Sequence, residues 1–208
     1  MPLDVEVLMT RYAKRGLADW SNITPYPVKL RASALLSGKI VENEWELQGV
    51  IKGQQAAGAK FIPMPRVNHG GIESCFFLPL RTSGDDNLRF NFELFLLVES
   101  EDENCLGFRF EQADVANQAH AYGHIQMNRK MLGDSFPNNG IPQWMPDSYP
   151  AFPICSSDSL QMFLSMATSI HGYGSKYDDG MRGILQNVFQ GHPLDERLCL
   201  EKMSDFLK

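Results

Sequence analysis

The stretch RFEQADVANQAHAYGHIQMNR, residues 109–129, gathers an arginine, a glutamate and two histidines within one short span. A histidine titrates near neutrality, a carboxylate can orient or share its proton, and an arginine can hold a phosphate or other oxyanion through two parallel hydrogen bonds. Together these are the parts of a metal-independent ribonuclease: a base for the 2′-hydroxyl, an acid for the leaving oxygen and a cation for the charge on the phosphorane. On this reading His120 and His124 are the acid/base candidates, Glu111 orients them, and Arg109 and Arg89 hold the phosphate. Tyr122 and Gln126, on the strand face of the two histidines, complete the substrate side. A structural reading competes, because ion pairs and histidines on a sheet face are common without catalysis.

No metal is expected in this scheme. If residues 119–127 form a strand, four residues separate His120 from His124, and at about 3.3 Å per residue they stand roughly 13 Å apart, too far for one ion. On a helix the HxxxH spacing would bring them together, but Gly123 and the flanking Tyr122 make the helix the weaker reading. The four cysteines, Cys75, Cys105, Cys155 and Cys199, form no CxxC pair, so free or structural thiols are expected. No cofactor is expected either: the glycines around GKI match neither a phosphate-binding loop nor a dinucleotide fingerprint. A GxSxG nucleophile motif is absent from the sequence. In RVNHGGIES, His69 and Glu73 flank a Gly pair that reads as a hairpin turn. His171, at a helix end, and His192, before Pro193, read as capping or surface residues.

The elements that must position these residues follow from periodicity. In LDVEVLMTRYAKRGLADW, Val5, Leu8, Met9, Tyr12 and Ala13 recur at helical spacing, with Asp4 as the expected cap and Gly16 as the expected stop. Residues 21–73 fit short helices or short strands equally, broken by Pro25 and Pro27. From Ser74 the pattern turns to β, in the order SCFFLPL, NLRFNFELFLLVE, CLGFRFEQ and AHAYGHIQM, separated by the turn clusters TSGDDN, SEDEN and ADVANQ. This predicts an antiparallel meander from about Ser74 to Met127. In its second run Leu88, Phe90, Phe92, Leu94 and Leu96 share one face, and Arg89, Asn91 and Glu93 the other. One apolar and one polar face are therefore expected. The register that sets Glu93 opposite Arg109 joins opposite charges, whereas a shift that sets it opposite Glu111 joins like ones, so the first is predicted.

The segment FPNNGIPQWMPDSYPAFPI reads as an ordered proline-rich loop. SSDSLQMFLSMATSIHGYG predicts a helix capped by Ser156 or Ser157 and stopped by Gly172, and DDGMRGILQNVFQG and PLDERLCLEKMSDFLK predict two more. The result is a single α+β domain over residues 1–208, a central antiparallel meander flanked by N-terminal and C-terminal helices. The net charge of −6 opposes coating of nucleic acid by bulk electrostatics but leaves room for a local basic pocket. Residues 1–18 lack the continuous apolar core of a signal peptide and ELFLLV is too short to span a bilayer, so a cytoplasmic protein with no membrane partner is expected.

FRFE followed by AHAYGHIQ resembles the strand, loop and histidine-bearing strand of small bacterial families linked to toxin–antitoxin and phage-defence loci, TumE-type toxins among them. About 20 of the 208 residues carry it. The shared pattern falls on Arg109, Phe110, Glu111, His120 and His124, and Gln126 stands where a third histidine is often found. The resemblance implies a toxin or defence effector. Two function classes follow: a ribonuclease acting on RNA, or a non-catalytic subunit that binds a cognate protein partner such as an antitoxin or a defence-complex subunit. The second class should expose an aromatic patch, for which Trp144, Tyr149 and Phe152 are the candidates.

Overall fold

The computed structural model describes residues 5–22, 32–33, 36, 38–54, 58–66, 72–82, 89–98, 105–112, 123–127, 151–154 and 158–171. In chain order these form helix α1 (Val5–Asn22), strand β1 (Lys39–Ile40), helix α2 (Glu44–Ile51), strands β2 (Lys60–Pro63), β3 (Ile72–Thr82), β4 (Arg89–Val98), β5 (Cys105–Glu111), β6 (His124–Met127) and β7 (Ala151–Pro153), and helix α3 (Ser159–His171). The strands make one seven-stranded sheet in sequence order, with β1 parallel to β2 and every other pair antiparallel. The α+β class and the meander are as expected. Its extent is not: the sheet begins at residue 39 and ends at 153. The proline-rich segment contributes β7, and the two helices expected after Gly172 lie outside the described residues.

β7 is the last strand of the order. Ile154 N–H donates to the Gly123 carbonyl at 2.8 Å, and Phe152 pairs with Ile125, so by strand alternation Pro153 faces the outer edge. A proline there costs no ladder bond and withholds the N–H that a foreign strand would use.

α1 lays Leu8, Met9, Tyr12 and Ala13 into the main core with Phe77 of β3, Phe90, Phe92 and Leu94 of β4, and Met162, Phe163 and Met166 of α3. Tyr12 meets Phe77 and Phe163 edge-on, with ring centroids 6.0 and 5.2 Å away. Its hydroxyl lies 2.6 Å from His171 Nε2. Burial, with Cys75 beside it, pushes the Tyr12 phenol well above its ordinary pKa, so it stays neutral. His171 is therefore neither a cap nor a surface residue; it continues the buried stripe of α3 and is 2% exposed.

Gly16 does not stop α1. A methyl group there would lie 2.9 Å from the carbonyl carbons of Pro63 and Met64 and closer still to the Pro63 oxygen, so the helix runs on because a glycine lets it cross the end of β2 at backbone contact. Beyond this crossing Trp20 packs on Phe76, with centroids 4.8 Å apart. Phe76 belongs to a second cluster with Ala32, Leu36, Ile40, Phe61, Leu78, Phe95 and Leu97. Since Phe76 and Phe77 point to opposite faces, one helix serves both sides of the sheet.

α2 resolves part of the stretch whose sequence pattern is ambiguous. Asn43 caps it by accepting the Glu46 N–H at 3.0 Å, and Glu46 reaches back to accept the Glu42 N–H at 3.1 Å. At the other end Gly53, at φ +72°, donates to the Val50 carbonyl while Gln54 donates to that of Gly49, a Schellman closure. α3 is capped by Asp158, whose Oδ1 accepts the Gln161 N–H at 2.8 Å, and not by Ser156 or Ser157. Ser159 then accepts both the Phe90 N–H, at 2.8 Å, and the Gln112 side-chain amide, at 2.6 Å, pinning the start of α3 to β4.

Two measurements check these contacts. Gly16→Ala should cost about 1–3 kcal/mol through overpacking, lowering the unfolding midpoint by several degrees, whereas Gly49→Ala, in an open position of α2, should be neutral or gain up to about 1 kcal/mol in helix propensity. Equal effects at the two sites would refute the crossing contact. The Glu46 carboxyl is held below its ordinary pKa chiefly by the Glu42 N–H, which outweighs the opposing effect of burial, with Lys60 and Lys39 adding to the lowering. A depressed folded pKa stabilises above the unfolded value, near 4.3 for glutamate, and is lost as pH falls through the folded one. Glu46→Gln should therefore unfold at lower temperature than the parent at pH 7, with the gap closing under acid; a gap that persists below the carboxylate range would rule out this linkage.

Candidate functional site

The second face of the sheet is where alternation sends the charged residues, and there the sequence expectation needs its main correction. This face is not uniformly polar. Across β2, β3 and the second half of β4 it is apolar, because FLLV at 95–98 abandons alternation and buries Phe95 and Leu97 in the second cluster. Among the described residues the charged side chains of this face lie where β4, β5 and β6 run side by side. One cross-strand row reads Leu78, Glu93, Arg109, Gln126, and its neighbour sets Glu111 against His124.

Glu93 stands opposite Arg109, as the charge argument predicts. Arg109 Nε and Nη2 both donate to Glu93 Oε1, each at 3.1 Å, and Nη1 donates to Glu111 Oε1 at 3.2 Å. The other oxygen of Glu111 takes His124 Nε2 at 3.1 Å and the Gln126 amide at 3.3 Å. The five side chains make one continuous ladder, from Glu93 through Arg109 and Glu111 to His124 and Gln126. Gln112, just beyond β5, ties its end to the neighbouring strand: its N–H donates to Asn91 Oδ1 at 3.0 Å and its amide to the Phe90 carbonyl at 3.1 Å.

Burial grades along the ladder. The side chain of Glu93 is 1% exposed and that of His124 3%, and Gln126 is buried, while Glu111 and Arg109 reach solvent at 18% and 32%. Glu93 can sit on the same face as Leu78 and Phe95 because the guanidinium supplies both its counter-charge and two hydrogen bonds. All three nitrogens of Arg109 are engaged, and its single positive charge faces two carboxylates.

Of the proposed site residues, Arg109, Glu111, His124 and Gln126 are brought together. His120 and Tyr122 lie outside the described residues, as do His69, Trp144, Tyr149 and His192. Arg89 pairs through its backbone with Thr82 at the start of β4, and its side chain is outside the description. The glutamate that completes the ladder, Glu93, is visible in sequence as the partner of Arg109 but not as its most deeply buried member. What arranges these groups chemically is an orienting contact: Glu111 holds the His124 ring by one nitrogen, as a carboxylate holds the imidazole of an acid/base pair. Among the described residues no three His, Cys, Asp or Glu side chains converge as metal ligands, and no helix is long and apolar enough to cross a membrane. Comparison of the chain with protein-family models, curated proteins and solved structures finds no match.

A double-mutant cycle measures what holds the ladder. Arg109→Leu should cost about 3–5 kcal/mol, because it takes a counter-charge and two hydrogen bonds from the buried Glu93 carboxylate, and adding Glu93→Leu should recover most of that loss. A double variant no more stable than Arg109→Leu alone would mean that the guanidinium's role is not to neutralise Glu93.

Proposed function

We propose that this chain works by binding: a non-catalytic, cytoplasmic subunit of a bacterial multi-protein assembly of the toxin–antitoxin or phage-defence kind, whose partner is a protein. The observation that carries this reading is the internal pairing of the polar ladder. Each nitrogen of Arg109 already serves a carboxylate, and His124 is buried against Glu111, so among the described residues the expected phosphate holder and the expected acid/base histidine are engaged within the protein. Buried polar networks of this kind specify register and orientation in a core. Phe152, from the aromatic segment expected to meet a partner, is 55% exposed on β7 and continues the apolar row of Phe92, Phe110 and Ile125 beyond the sheet's buried part. The toxin or defence setting rests on the resemblance of FRFE and AHAYGHIQ alone.

A second reading, a metal-independent ribonuclease acting as a toxin, is favoured by one contact, that of His124 with Glu111 at 3.1 Å. In that case His120 and His124 are the acid and base, Glu111 fixes the His124 ring, and Arg109 must leave one of its carboxylates to hold the scissile phosphate with Arg89.

Co-expression with the products of adjacent genes separates the two. The binding reading expects a stoichiometric complex on size-exclusion chromatography, weakened about tenfold or more by Phe152→Asp at unchanged thermal stability. It also expects no RNA cleavage by the purified protein. Cleavage that survives excess EDTA and disappears in Glu111→Gln and His124→Ala, with unfolding midpoints close to the parent's, would overturn it in favour of the ribonuclease.

A further inference from the structure

We draw no further inference here: the strongest candidate, the buried Tyr12–His171 hydrogen bond beside Cys75 between α1, β3 and α3, carries nothing beyond its packing role, because His171 makes further contacts outside the described residues and nothing in the structure shows which charges would set its protonation.

Discussion

The pair of Glu93 and Arg109 constrains the centre of this protein more than any other contact. A carboxylate in the middle of a strand, closed off from water, is tolerated only with a counter-ion and hydrogen bonds in place. Arg109 supplies both from the neighbouring strand, and only in the register that sets it directly opposite. A slip of one residue would turn Glu93 toward Phe163 and Met162 and send Phe92 to the ladder side. The ion pair thus acts on the fold chiefly by penalising the wrong pairings of β4 with β5. Glu111 and Gln126 extend the same restriction to β6, because Arg109 and His124 must both find Glu111 on the same face.

Around this row the chain closes both faces of the sheet with few elements. α3 lies on β4 and β5, anchored at its first turn by Ser159, and α1 crosses the end of β2 at Gly16 so that Tyr12 and Trp20 serve opposite faces. The second apolar cluster, from Phe61 through Phe76 to Phe95, lies beside the ladder and lowers the dielectric on that side. Low dielectric strengthens every contact within the ladder and raises the cost of opening it. Glu93 and His124 lie buried within it, while Arg109 and Glu111 keep their outer edges in water.

Much of this was legible without coordinates. Leu8, Met9, Tyr12 and Ala13 mark the buried side of α1; the alternation from Phe90 to Leu94 marks β4; opposite charges on Glu93 and Arg109 select the register. All are local or pairwise signals, in which side-chain periodicity reports directly on backbone geometry. The signals for α2 were also present, in Asn43 with Glu46 three residues on and Gly53 after the last turn, but the stretch around them lacks a long apolar stripe that would raise a helix above a strand. β7 was hidden because prolines read as loop, and a proline fits an edge strand only when its missing N–H points outward, which depends on the partner strand.

Local pattern therefore suffices for the α+β class, the meander order of β3 to β6 and the gathering of Arg109, Glu111, His124 and Gln126 on one face. Packing between distant segments settles the rest: Glu93, His124 and Gln126 on this face are buried, Gly16 is a crossing point and not a terminus, and His171 lies in the core. The physical reason is common to all three. Periodicity says which side of an element a residue occupies, whereas burial and backbone approach depend on which distant segment covers that side: Pro63 over Gly16, Tyr12 over His171, and the ladder's own cross-strand partners around Glu93.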